Sequence, residues 1–200
     1  MHMDIQELVR SLGLIFVFAV LFAESGLFFA FFLPGDSLLF TAGLLASQGV
    51  LPMWELMIGG VIAAIVGVNV GYAFGKHYGP KIFKREDSIF FHKDNIRRAE
   101  DFYKKYGAFT IIIARFTPFV RTFAPIFAGI GRMDYKIFMA YNVIGAILWV
   151  GGIGYAGYFL GQVVPDIDKF ILPIIAGIIT VSILPAIYKV WREYALKKRG

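Results

Sequence analysis

Four apolar runs, at about 9–31, 54–75, 136–162 and 169–191, each reach the roughly 20 residues that a helix needs to cross the hydrocarbon of a bilayer. Few soluble folds can absorb four such runs. Hydrophobic residues make up 58% of the 200-residue chain, above the roughly 45–50% of soluble domains, so apolar surface exceeds what a soluble core of this size can hide. The chain reads as one all-α, polytopic membrane domain over residues 1–200, with about four transmembrane helices. The first run is long, follows the acidic Asp4 and Glu7, and lacks a small-residue cleavage pattern, so it is expected to stay as a helix.

Two further apolar segments fit a simple span poorly. Residues 32–47 hold Pro34, Gly35 and Asp36, and residues 107–131 hold Arg115, Pro118, Arg121 and Pro125. Helix breakers and ionisable groups together predict two re-entrant hairpins, each leaving the membrane on the side it entered, with Pro34, Gly35, Pro118 and Pro125 forming the turns. The basic residues test this topology. Nine of the twenty lysines and arginines lie from Lys76 to Lys105, Arg132 and Lys136 follow the second hairpin, and five lie from Lys189 to Arg199. With both termini inside, every large basic cluster falls on the cytoplasmic side and the acidic loop Pro165-Asp166-Ile167-Asp168 falls outside, as the positive-inside rule requires. Six full spans satisfy the charge bias as well; the breakers and buried charges favour hairpins.

Between the two halves, residues 86–106 place Ile96, Ala99, Phe102, Tyr103 and Tyr106 along one helical side, with Lys93, Arg97, Arg98, Lys104 and Lys105 largely elsewhere. That pattern suits a helix lying on the inner membrane surface; a solvated charge run with topological value only is the alternative. The net charge of +6 is accounted for by topology, and no nucleic-acid partner is expected.

The chain also resembles itself. Val61-Ile62-Ala63-Ala64-Ile65 followed by Gly71-Tyr72-Ala73 returns as Val143-Ile144-Gly145-Ala146-Ile147 followed by Gly154-Tyr155-Ala156, and Ala42-Gly43 returns as Ala128-Gly129. The unit is a hairpin followed by a Gly/Ala-rich span, about 32–75 and 107–162. One full span separates the two hairpins, so they enter from opposite faces, an inverted repeat of the kind found in transporters. The glycines of these spans suit close helix packing.

Glu24, Asp36, Arg115 and Arg121 stand in apolar surroundings. Each costs roughly 2.5–3.5 kcal/mol at the bilayer centre on insertion scales, so the four are expected to pair, to face water, or both. Buried salt bridges that only pin the hairpins are one reading, although apolar packing often stabilises as much as a buried ion pair. A watery chamber shared by the hairpins is the functional one. Arginine forks suit phosphate oxygens, and Pro118 allows a bend that brings Arg115 and Arg121 together. Burial favours the protonated form of an acid and a neighbouring guanidinium favours the charged form, so Glu24 and Asp36 are suited to exchanging protons as an anion comes and goes.

Enzyme readings fare worse. Gly35-Asp36-Ser37-Leu38 spells a serine-hydrolase motif, but that class needs a later Asp-x-x-His. Only His2, His77 and His92 occur, and Phe74 and Ile89 stand where the aspartate belongs. The chain has no cysteine, no metal-ligand spacing and no glycine-rich nucleotide loop. No catalytic residue, metal or cofactor is expected.

Glu24-Ser25-Gly26 with Phe32-Leu33-Pro34-Gly35-Asp36-Ser37-Leu38-Leu39, and Ala114-Arg115-Phe116-Thr117-Pro118-Phe119-Val120-Arg121-Thr122-Phe123-Ala124-Pro125 with Phe127-Ala128-Gly129, closely resemble the bacterial DedA family. The similarity continues through Tyr141-Asn142-Val143-Ile144-Gly145-Ala146, Trp149 and Gly154-Tyr155-Ala156-Gly157-Tyr158. The resemblance, which extends to the VTT-domain lipid scramblases of eukaryotes, implies an inner-membrane lipid transporter. In bacteria it implies recycling of undecaprenyl phosphate, dependence on proton motive force, and resistance to cationic peptides and alkaline stress. By motif position the family's functional acids fall on Glu24 and Asp36 and its arginines on Arg115 and Arg121. The expected partners are anionic phosphate lipids, protons and a possible second copy of the chain; a proton-coupled cation or drug antiporter is the alternative.

Overall fold

The computed structural model describes residues 5–27, 30, 33–82 and 106–163, and these are all helix and connecting turn. Among the described residues there are six helices, in chain order α1 (Ile5–Gly26), α2 (Gly35–Ser47), α3 (Met53–Ile82), α4 (Phe109–Ala114), α5 (Pro118–Ile130) and α6 (Tyr135–Val163). Two are long and apolar enough to cross a membrane, over Met53–Gly79 and Tyr135–Val163. They coincide with the runs expected at 54–75 and 136–162 and extend past them. α1 stops at Gly26, five residues short of the run expected at 9–31. The run at 169–191 and the amphipathic segment at 86–106, apart from Tyr106, lie outside the described residues.

Local chemistry sets the boundaries twice over in the same way. A residue before proline is pushed out of the α region, so no helix runs through Leu33 into Pro34, and α2 begins at Gly35. Likewise Thr117 is extended, at φ −120° and ψ 108°, and Pro118 opens α5, where its missing N–H costs nothing. α2 and α5 are both 13 residues long, and both end in the same paired turn. Gly49 N–H donates to Ala46 and Val50 N–H to Leu45; Arg132 N–H donates to Gly129 and Met133 N–H to Ala128. This closure needs a left-handed residue, supplied by Gly49 at φ +74° and by Arg132 at φ +50°. α6 then starts on Asp134, whose carboxylate accepts from the N–H groups of Lys136 at 2.9 Å and Ile137 at 3.1 Å, a side-chain cap of the usual kind.

The helix breaks fall slightly earlier than the turns expected at Pro34, Gly35, Pro118 and Pro125. The first break is the stretch between Gly26 and Gly35, with Pro34 and Gly35 at the start of α2. The second is Arg115-Phe116-Thr117, and Pro125 sits inside α5, which continues to Ile130. The chain does not break at Pro125.

Packing exchanges the two halves. α3 and α6 lie antiparallel: Gly60 faces Val150, Asn142 donates to the Ile65 carbonyl at 3.3 Å, and Tyr72 donates to the Met133 carbonyl at 2.6 Å. α2 lies along α6, where Gly43 meets the backbone of Gly154 and Gly157 meets the Phe40 carbonyl. α5 lies along α3, where Gly129 meets the Tyr72 carbonyl and Gly75 meets the Ile126 carbonyl. α2 and α5 thus each dock on the long helix of the other half, through glycines that let the backbones touch. Gly43 and Gly129, the pair singled out in the sequence repeat, occupy equivalent crossings.

One apolar cluster joins Leu14, Leu21, Leu39, Leu56, Trp149 and Val150; a second joins Val68, Tyr72, Ile111, Ala128 and Phe138. Outward faces are apolar too, with Ile58, Ile62, Val66 and Val70 on α3 and Ile144, Leu148, Tyr155 and Phe159 on α6 all exposed. Helices apolar on every side belong in hydrocarbon or a large core. The 26 exposed large hydrophobics among the described residues fit hydrocarbon.

Candidate functional site

Both breaks deliver their charges to the same strip of α6. Asn142, Gly145 and Trp149 follow at helical spacing i, i+3 and i+7 on that helix, so they share one face over about 10 Å of its length. All three are buried.

At the Trp149 end, Arg121 reaches out of the first turn of α5 to two acids. Its Nη1 donates to Asp36 Oδ1 at 2.7 Å and its Nη2 donates to Glu24 Oε1. Trp149 contributes twice, since its ring faces the guanidinium at 5.1 Å and its Nε1–H donates to Asp36 Oδ1 at 2.9 Å. Thr122 anchors the same turn by donating to the backbone carbonyl of Glu24 at 3.3 Å. Glu24 and Arg121 are almost wholly buried, at 1% and 5% exposure, whereas the Asp36 side chain is 40% exposed. One cation here serves two acids. The cluster carries a surplus of negative charge when both are ionised.

Glycine makes the cluster possible at one point: a Cβ on Gly35 would land on the Glu24 carboxylate. Gly35 opens α2, and Pro34 ahead of it provides no side-chain cap, so the first N–H groups of this helix lack intrahelical acceptors beside a buried acid. Glu24 Oε2 itself has no hydrogen-bond partner. Negative charge is favoured at such a terminus.

At the Asn142 end the balance is opposite. Arg115, just after α4, is 3% exposed, donates through Nη2 to Asn142 Oδ1, and leaves its Nε without a partner. Its stem lies in the space left by Gly145, where a Cβ would come within 2.9 Å of Cδ. No carboxylate among the described residues pairs with it. A hydrogen bond from a charged donor is worth about 1.5–3 kcal/mol, while burying an uncompensated ion costs several kcal/mol, so Arg115 is a cation short of an anion.

The four residues singled out from sequence therefore divide three and one: Glu24, Asp36 and Arg121 meet directly, and Arg115 stands apart on the same strip. Sequence reasoning missed Trp149 and Asn142 as site residues. The available signal was a polar atom in the middle of an uncharged span, which must find a partner.

Residues 33–159, which run from the start of α2 through the second break and the α6 strip, match the VTT domain. The chain is 46% identical to the DedA protein of Escherichia coli K12 over 200 residues, covering 96% of this chain and 91% of that one. It belongs to the DedA family. This DedA chain is also 43% identical to a membrane protein of Mycobacterium leprae, ML0287, over 90% of its own length and 80% of the relative, and 40% identical to the Mycobacterium tuberculosis membrane protein Rv0364 over 92% and 81%. No solved structure matches it. A DedA-family chain with two apolar membrane-length helices is a membrane protein. Asp36, Arg115 and Arg121 fall within the matched domain and Glu24 lies just ahead of it.

Proposed function

We propose that this protein is a lipid transporter that moves undecaprenyl phosphate or a related anionic phosphate lipid across the bacterial cytoplasmic membrane, coupled to protons. The observation that carries this reading is a mixed set of charges, buried Glu24, Arg115 and Arg121 with the partly exposed Asp36, held at or beside two helix breaks among apolar helices. Buried ionisable groups in membrane helices mark substrate and proton paths, and broken helices whose N-termini meet near the midplane are built for anionic substrates. α2 and α5 both begin at such breaks without a side-chain cap.

The antiparallel long helices and the exchanged short ones support two re-entrant hairpins in an inverted repeat, with α1 and a helix at 169–191 completing four spans and both termini cytoplasmic. Glu24 and Asp36 exchange protons, Arg115 and Arg121 supply the positive charge of the phosphate site, and no chemical step on the substrate is required. Two such units are free to alternate access. A homo-oligomer is compatible with this arrangement.

A second reading has one observation in its favour. The Asp36 carboxylate is 40% exposed, which suits a cation as substrate and makes a proton-coupled cation or drug antiporter the competitor. Vesicles reconstituted with the full chain separate the two when a phosphate lipid and a cation gradient are assayed side by side. Lipid movement without cation flux supports the lipid reading; cation flux without lipid movement overturns it.

A further inference from the structure

We propose that the two arginines are not equivalent: Arg115, framed by Asn142 and Gly145, is the seat of the substrate anion, and Arg121 is a latch that ties α1, α2 and α5 to α6. The proposal rests on the phosphate-lipid reading and assigns the phosphate to one place in it. Arg121 already has two carboxylates and the Trp149 ring, so an incoming anion must displace an internal one. Arg115 has only a neutral amide. Its Nε–H is buried and without an acceptor, as is that of Arg121, so the two differ in what their Nη groups hold: with only an amide to satisfy, Arg115 keeps its charge for the two oxygens of a phosphate that a planar guanidinium fork takes.

Asn142 decides the charge preference of the seat. Its Nδ2 donates to the Ile65 carbonyl at 3.3 Å, which turns Oδ1 toward Arg115. An aspartate at this position would have nearly the same shape but would neutralise the guanidinium from within. The neutral amide orients the arginine and leaves its charge for the ligand. Access is close at hand, since Phe116 and Thr117, the next residues in the break, are exposed.

The test uses the full chain in detergent and inorganic phosphate as probe, at constant ionic strength, with thermal unfolding as readout. Wild type is expected to gain stability with phosphate. N142D is expected to unfold at higher temperature than wild type without phosphate and to gain nothing from it, because its own carboxylate fills the seat. R115Q is expected to weaken the apparent phosphate affinity by about tenfold or more, the scale of a lost charge-assisted contact, and R121Q by about twofold or less even where it lowers the unfolding temperature. No phosphate response in wild type, a full response in N142D, or a response lost in R121Q and kept in R115Q overturns the proposal. If N142D does not fold, the comparison of R115Q with R121Q decides alone. Lipid transport in vesicles is a separate readout: transport by wild type together with undiminished transport by N142D sinks the seat and leaves the transporter standing. The expected phosphate pattern without any lipid movement sinks the transporter and leaves the seat.

Discussion

Glu24 on α1 and Arg121 on α5, 97 residues apart in sequence, form a buried ion pair that closes the first half of the chain onto the second. Breaking such a pair leaves one charge uncompensated and costs about 3–5 kcal/mol, whereas replacing both members by apolar groups is often neutral or stabilising. E24A and R121A are therefore each expected to lower unfolding stability in detergent by that amount, and E24L/R121L to recover much of it while staying inactive. A double variant as unstable as the sum of the singles would show that the two groups are not coupled in solution.

Trp149 serves the same cluster through two separable contacts. W149F keeps a ring beside Arg121 but removes the N–H that reaches Asp36, a loss expected near 1.5–3 kcal/mol for a hydrogen bond to a charged group. W149A also empties a buried site and is expected to cost about 3–5 kcal/mol. Equal stability of wild type and W149F in urea or thermal unfolding would remove the indole hydrogen bond from the account.

At Gly35 the prediction is one of coupling. G35A places a methyl group on the Glu24 carboxylate and is expected to cost about 1–3 kcal/mol, the range for overpacking. Shortening the acid makes room, so G35A/E24D should lose less than the two single changes added together. Strict additivity would mean that the two residues do not touch in solution.

How far this was legible beforehand depends on the residue. The spans that became α3 and α6 were plain from their apolar runs, and Pro34 and Pro118 announced the breaks because proline constrains the residue before it. Pro125 misled, since a proline in mid-helix is tolerated when the surrounding helices hold the segment, and here it packs beside Gly71 on α3. Glu24, Asp36 and Arg121 stood out as charges in apolar sequence and do meet. The separation of Arg115 from Arg121 was not legible, because a break of three residues leaves the direction of the next helix undetermined by spacing. The parts of Trp149 and Asn142 depended on which face of α6 turns inward, which only the pairing with α2, α3 and α4 decides.

The repeat itself makes a prediction about equivalence. Gly43 and Gly129 each press against a backbone carbonyl of the opposite half, so neither neighbour yields easily to a methyl group. G43A and G129A are expected to cost similar amounts, about 1–3 kcal/mol each, in denaturant unfolding. A large loss at one and none at the other would show that the crossings are not alike.

The central claim is that a buried, anion-seeking arginine carries a phosphate lipid through the membrane, and the most direct measurement is movement of undecaprenyl phosphate across vesicles reconstituted with wild type or R115A. Wild type is expected to move the lipid and to respond to an imposed pH gradient, while R115A, with an unchanged helical spectrum, moves it no faster than protein-free vesicles. Full lipid movement by R115A, or none by wild type, would contradict the account.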